Sequence, residues 1–224
     1  MTEHDQPTTV GQLPTQTSAE SYVPATLTRL VWVLWAVSLG VLAVRLAGGG
    51  AWTLAGLVAV DGLTVVMWVT VTFFSGIVHS YSRRYMAGHR RKDQFFGRVF
   101  AFTVTVMVLV AADNVVLFAV AWLVMGLVMA ELIGHVAGWQ QARAAASLAR
   151  RYFLASSALL AAALAALWWT TGATTVSGIA SAVGTAPRTV VLFAAGTLLL
   201  AAMVQSALLP FHTWLLSSMT APTP

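Results

Sequence analysis

Long unbroken apolar segments, each about the length of a membrane-spanning helix, dominate this chain. A helical crossing of the bilayer core needs roughly 20 apolar residues. Continuous apolar runs, rather than period-two alternation, favour helices over a membrane barrel. We therefore predict about six spans, at about 30–47, 62–81, 96–112, 115–136, 152–170 and 189–209.

Composition agrees with lipid as the solvent of the chain. Of 224 residues, 58% are hydrophobic and only 8% are charged, against roughly 25% charged in a typical soluble domain. The predicted fold class is an all-α integral membrane protein, with a transmembrane domain over residues 27–224. Residues 1–26 are polar and predict a disordered cytoplasmic tail. The apolar segment 51–60 is too short to cross and predicts a re-entrant or interfacial link.

Basic residues lie mainly on one side of the predicted topology. The opposite side holds only Arg45 and Arg188, whereas the regions after the second and fourth spans contain Arg83, Arg84, Arg90, Arg91, Lys92, Arg143, Arg150 and Arg151. By the positive-inside rule, this asymmetry predicts a multi-pass protein of the cell membrane with both termini in the cytoplasm. The net charge of +5 then needs no nucleic-acid partner.

Residue types exclude several kinds of chemistry. The chain has no cysteine, which excludes Cys-ligated zinc and iron–sulfur clusters. Its five histidines lack metal-site spacing, and the common phosphate-binding and nucleophile motifs are absent. We therefore predict no metal, no cofactor and no catalytic site within the chain itself.

Ionisable residues inside the spans are candidate functional sites, because burying them in lipid is costly. Glu131 lies near the end of the fourth span with His135 at i+4, which predicts a shared helix face. Snorkelling of Glu131 to the interface is the alternative. Asp61 precedes the second span and Asp113-Asn114 precedes the fourth, where such side chains typically cap helix N-termini.

The last span is predicted to be broken at Pro210, which has no N–H to donate to the carbonyl of Ser206. Gln205 and His212 flank this position and add polar groups. Transporters place ions and substrates at broken helices, so Gln205, Ser206, Pro210 and His212 are candidate ion-pathway residues. A simple proline kink near the membrane surface is the alternative.

Several of these positions resemble a known family. The matching residues are Asp61-Gly62-Leu63, Tyr81-Ser82, Tyr85-Met86, Phe95-Phe96, Ala112-Asp113-Asn114 and the closing stretch 205–215. They resemble the antiporter-type subunits of respiratory complex I and of Mrp antiporters, over about residues 60–224. Pumping members carry a Glu where this chain has Leu123, directly after Trp122, and a Lys where it has Gln205. Leucine and glutamine do not titrate. Family members also continue past the final Ala-Pro-Thr-Pro, so we expect a truncated or split form.

The missing Glu and the basic run 143–151 look more like the DabB-type membrane subunit of inorganic-carbon transporters. That resemblance implies an energy-coupled carrier of CO2 or bicarbonate with a soluble zinc-containing DabA-type partner. One alternative is an antiporter-like subunit of an NADH:quinone oxidoreductase or Mrp-type complex, which contacts other complex subunits and does not itself bind NADH. The other alternative is a non-transporting, truncated membrane scaffold.

Overall fold

Six long helices dominate the computed structural model, which describes residues 21–87, 91–136 and 138–219. Within those residues, each of the six is long and apolar enough to cross a bilayer, which confirms the predicted all-α membrane class. The helices, including two short ones, are α1 (Val23–Leu46), α2 (Gly62–Tyr85), α3 (Lys92–Ala111), α4 (Val115–Ile133), α5 (Gln140–Thr171), α6 (Val176–Ala182), α7 (Arg188–Gln205) and α8 (Thr213–Met219). A 3-10 turn, Val183–Thr185, follows α6.

The apolar link before α2 forms a short antiparallel hairpin. Strand β1 (Trp52–Leu54) pairs with β2 (Val58–Val60). The carbonyl of Leu57 accepts the backbone N–H groups of Asp113 and Asn114 at 2.9 and 3.0 Å. The hairpin therefore lies against the turn between α3 and α4, and this contact gives two tiny strands the partner that an isolated hairpin lacks.

Small residues let the helices approach closely around α5. One buried cluster joins α4, α5 and α8 through Ala130, Ala149, Phe153 and Trp214. Another joins α5, α6 and α7 through Ala163, Leu167, Ile179 and Ala194. Alanine suits such contacts, because association in lipid depends on close packing rather than on apolar burial.

Two predicted boundaries differ at helix starts. Helix α1 begins at Val23 rather than near residue 30, since Pro24 is tolerated in the first turn, where its missing N–H has no partner to lose. Residues 23–26 of the predicted tail are therefore helical, and residues 1–20 lie outside the described part. Helix α5 begins at Gln140 rather than near residue 152, because its first turns are rich in alanine, the strongest helix former. The basic run 143–151 thus lies on a helix.

The predicted break at Pro210 begins earlier, because α7 already ends at Gln205. Ala207 adopts a left-handed conformation with φ of 51°. Its N–H bonds to the carbonyl of Val204 at 3.3 Å, and the N–H of Leu208 bonds to Met203 at 3.0 Å. This pair of bonds is a Schellman C-cap. The cap, rather than the proline ring, ends the helix, and Pro210 follows in the connection to α8.

Candidate functional site

The interruption between α7 and α8 contains the polar residues predicted there. Gln205 is the last residue of α7, Ser206 is its C-cap, and His212 lies directly before α8. Within the described residues, Oε1 of Gln205 and Nδ1 of His212 are buried without a hydrogen-bond partner. Such atoms are costly unless water or an ion satisfies them, which makes the interruption a candidate binding position.

Helix α8 is anchored firmly on the rest of the bundle. The indole N–H of Trp214 donates to the carbonyl of Val204 in the last turn of α7, at 3.0 Å. The Trp214 ring packs edge-on against Phe153 at 4.7 Å, and the hydroxyls of Tyr152 and Thr213 lie 2.7 Å apart. The two sides of the interruption are therefore held in a fixed relationship.

A chain of hydrogen bonds crosses three helices near the interruption. The indole N–H of Trp122 on α4 donates to the Ser156 hydroxyl at 3.1 Å. Ser156 on α5 is fully buried and donates to the carbonyl of Ala201 on α7 at 3.0 Å. Ala201 lies one turn before Gln205. Sequence reasoning missed Ser156; the adjacent hydroxyls of Ser156 and Ser157 in an alanine-rich span were the available signal.

Leu123, at the position where the sequence resemblance implies a Glu, lines an apolar groove. The groove has a volume of about 440 Å³ and lies along α4 and α5, with Val120, Leu164 and Trp168 in its lining. None of the lining residues described is ionisable. The described side chains around Leu123 therefore include no group that could carry a proton.

Glu131 lies in a small charged cluster that joins three helices. One carboxylate oxygen accepts from Arg98 of α3 at 3.3 Å, and the other accepts from Arg150 of α5. A second nitrogen of Arg98 lies 3.2 Å from Nδ1 of His135. Sequence reasoning identified neither arginine as a partner of Glu131, because residues far apart in sequence gave no spacing signal.

The predicted shared helix face of Glu131 and His135 is wrong. Helix α4 ends at Ile133, with Gly134 as its C-cap, so His135 lies beyond the helix. Its ring is buried and packs edge-on against Phe95 at 5.4 Å. Arg98, rather than a helical i+4 relationship, connects the two residues.

The three predicted capping residues bind near the starts of three different helices. Asp61 caps α2 by accepting the Thr64 N–H at 2.8 Å and the Thr64 hydroxyl at 2.9 Å. These two bonds lower the pKa of the Asp61 carboxyl from its usual value of 3.8. Asn114 caps α4 by accepting from Val116 and Leu117. Asp113 does not bond to the start of α4; its carboxylate instead binds Ser177, near the start of α6.

A buried histidine that the sequence did not single out lies between α2 and α3. His79 is 1% exposed, and its Nδ1 donates to the carbonyl of Ser75 at 2.8 Å. The hydroxyl of Ser75 lies 2.6 Å from that of Thr103 on α3. This polar contact stands well apart in sequence from the α7–α8 interruption.

Together, the six candidate spans among the described residues define a polytopic all-α membrane protein, and its last span is interrupted next to unpaired polar atoms. Residues 112–224 match the family described as NADH:quinone oxidoreductase/Mrp antiporter, TM. Residues 53–96 match the N-terminal region of NADH-ubiquinone oxidoreductase (complex I) chain 5. The chain belongs to this NADH:quinone oxidoreductase/Mrp antiporter family, as its sequence resemblance predicted.

Curated relatives carry complex I names. The chain is 34% identical over 164 residues to NADH-ubiquinone oxidoreductase chain 5 of Cryptococcus neoformans, which covers 73% of this chain and 25% of the relative. It is 31% identical over 165 residues to NADH-quinone oxidoreductase subunit L of Mycobacterium tuberculosis, which covers 74% and 26%. The chain therefore spans about a quarter of the length of these relatives. A closer similarity to the DabB type stays a prediction.

Proposed function

We propose that this chain is an antiporter-like membrane subunit of a multi-subunit complex of the NADH:quinone oxidoreductase or Mrp type, working with a proton or cation gradient. The observation that carries this proposal is the family match over residues 112–224, which contains the interrupted helix. Interrupted helices in membranes present free backbone and polar groups to ions. The partners in this proposal are the lipid bilayer and the other subunits of the complex.

The ion path in this proposal runs past the interruption. Gln205 does not titrate, so it would act by hydrogen bonding to water through its unpaired Oε1. His212 supplies a second unpaired atom, Nδ1, at the other end of the interruption, again among the described residues. Ser206 and Pro210 lie between them in sequence, within the non-helical connection from α7 to α8. We expect His212→Ala to reduce ion flux through the complex, whereas unchanged flux would exclude His212 from the path.

Glu131 is the second candidate for the path, as the carboxylate that replaces the one absent at Leu123. It lies on the same helix as Leu123, about two turns further along, between two guanidinium groups. If it carries protons, Glu131→Gln abolishes transport with normal amounts of folded protein. If it only clamps α3, α4 and α5 together, the same change lowers thermal stability and leaves transport per folded molecule unchanged.

Assembly into a complex is tested directly on a native gel. A tagged copy of the chain, solubilised in a mild detergent, is expected to comigrate with NADH dehydrogenase activity or with the other subunits of an Mrp-type antiporter. Migration of the tagged chain alone, while the complex itself stays intact, contradicts the proposal.

A second candidate function is the membrane subunit of an inorganic-carbon (CO2/bicarbonate) transporter. Leu123 in its apolar groove and Gln205 at the helix break favour this candidate. These two residues replace the Glu–Lys pair of pumping relatives, and neither of them titrates. Co-expression with a soluble zinc-containing DabA-type partner is expected to restore growth of high-CO2-requiring cells in air. No rescue while both proteins are expressed contradicts this candidate.

The third alternative, a non-transporting scaffold, is tested by restoring the two charged residues. Leu123→Glu combined with Gln205→Lys restores the charge pair of pumping relatives. A scaffold stays inert with this change, whereas a proton-conducting subunit shows altered flux. A glutamate introduced into the apolar groove also tests whether water reaches α4 from that side.

We also propose that the protein lies in the cell membrane with both termini in the cytoplasm. The basic residues at the end of α2, the start of α3 and the first half of α5 support this orientation. Since the chain has no cysteine, a single introduced cysteine reports its own accessibility. In intact cells, the Arg84→Cys variant is expected to react only with a membrane-permeant maleimide. The Arg188→Cys variant is expected to react with an impermeant maleimide as well. The reverse pattern contradicts the orientation.

A further inference from the structure

Three helix ends surround a small cavity at the membrane face that carries most of the basic residues. The cavity has a volume of about 370 Å³ and lies among the start of α1, the end of α2 and the start of α3. Its lining includes two cationic side chains, Arg83 and Lys92, together with the hydroxyl-bearing residues Ser21 and Tyr22. Its inner lining includes the fully buried apolar side chains of Met86 and Phe96.

The two cations have no charged partner in the described part of the chain. All ion pairs found among those residues involve Glu131, which does not line the cavity. Asp93 follows Lys92 directly in sequence but is not among the described lining residues. Among the described residues, Arg83 and Lys92 therefore present two positive charges without an ion-pair partner to one concave space, which suits an anion.

The cavity lies where lipid headgroups are expected. It sits at the end of a membrane span, and the exposed rings of Tyr81 and Tyr85 stack at 5.9 Å on the last turns of the same helix. Aromatic rings of this kind typically occupy the headgroup level. Basic pockets between helices at that level bind the phosphate groups of anionic lipids.

We propose that this cavity is a binding site for the phosphate group of an anionic membrane lipid. Arg83 and Lys92 bind the phosphate, while Met86 and Phe96 contact the carbons of the glycerol and the first acyl segment. A lipid uses both the charged and the apolar lining, whereas inorganic phosphate uses only the charged part. The site is independent of the α7–α8 interruption and of the transport role proposed above.

The test compares two double variants of equal charge. Arg83→Gln with Lys92→Gln removes both cations of the cavity. Arg84→Gln with Arg91→Gln removes two exposed cations of the same region that do not line it. The full chain is placed in phosphatidylcholine nanodiscs with increasing phosphatidylglycerol, and retained lipid is counted by native mass spectrometry.

We expect the wild-type protein and the control variant to retain one phosphatidylglycerol that the cavity variant loses. A cation near the membrane surface contributes about 1 kcal/mol, or roughly fivefold in affinity, so loss of both weakens binding about 30-fold. The single variants Arg83→Gln and Lys92→Gln are each expected to lose roughly fivefold. They keep the test decisive if the double variant does not fold.

Two outcomes overturn the proposal. Equal loss of lipid from both double variants shows that only the general surface charge matters. Thermal stabilisation by inorganic phosphate that matches stabilisation by phosphatidylglycerol, and that disappears in the cavity variant, assigns the site to free phosphate. Melting of each variant in pure phosphatidylcholine serves as the folding control.

Discussion

The Asp113 carboxylate holds the start of α6 through Ser177, which lies 64 positions further along the chain. Its two oxygens accept the backbone N–H and the hydroxyl of Ser177 at 2.8 and 2.7 Å. The backbone carbonyl of Asp113 also accepts the N–H of Val176. One residue at the turn between α3 and α4 therefore fixes the loop that leads from α5 into α6.

Removing this carboxylate should loosen that loop. We expect Asp113→Ala to lower the free energy of unfolding by about 0.5–1.5 kcal/mol, because the exposed N–H and hydroxyl of Ser177 lose their bonds to the carboxylate. Ser181→Ala is the matched control, since the Ser181 hydroxyl bonds only to Ser177 within the same helix. Thermal unfolding in detergent measures both changes. Equal, small effects would show that the Asp113 contact contributes no stability.

The bridging hydroxyl of Ser156 is expected to stabilise the packing of α4, α5 and α7. Ser156→Ala removes one acceptor from Trp122 and one donor from the Ala201 carbonyl. Hydrogen bonds between membrane helices contribute about 0.6 kcal/mol on average and up to about 1.7 kcal/mol. We expect a loss in this range, measured as the shift of the unfolding transition in detergent.

Ser157 provides the control for this prediction. Its hydroxyl bonds to the carbonyl of Phe153 within α5, at 2.8 Å, so Ser157→Ala breaks no contact between helices. We expect it to leave stability nearly unchanged. Trp122→Phe and Ser156→Ala both remove the hydrogen bond between the indole and the hydroxyl. The double variant should therefore lose less stability than the sum of the two single variants. Fully additive losses would mean that the two side chains do not act together.

The length of the apolar runs was sufficient to predict the number of spans but not the contacts between them. The spans follow from apolar length alone, because each helix in lipid satisfies its own backbone. The early end of α7 depends on Ala207 adopting a left-handed conformation. The sequence does not predict this conformation, because glycine or asparagine usually occupies such a position. The partners of Glu131 and Asp113 come from other helices. Such pairings require the tertiary arrangement, which no local pattern contains.

Acid should weaken the start of α2 through Asp61. The N–H and the hydroxyl of Thr64 bond to the ionised carboxylate, and these bonds lower its pKa below 3.8. A folded-state pKa below the unfolded value stabilises the fold above about pH 4, and this contribution is lost as the pH falls through the folded pKa. Wild-type protein should therefore be more stable than Asp61→Asn near neutral pH, with a difference that shrinks towards pH 3. A difference independent of pH would contradict this role of the ionised form.

Gly126 sets the distance between α4 and α5. A Cβ atom at this position would lie 2.8 Å from Cβ of Phe153, closer than two carbon atoms can approach without moving a helix. We expect Gly126→Ala to destabilise the protein by about 1–3 kcal/mol, the usual cost of overpacking. The cluster of Phe153 with Trp214 should loosen with it, which predicts faster proteolysis at α8.

Gly97 is the matched control, because a Cβ there meets nothing within 4 Å. Gly97→Ala should stabilise α3 by up to about 1 kcal/mol through helix propensity. Phe153→Leu should not rescue Gly126→Ala, since leucine keeps the Cβ atom that causes the clash. Rescue by leucine would place the conflict in the aromatic ring instead of the helix spacing, and thermal unfolding of the double variant decides between the two.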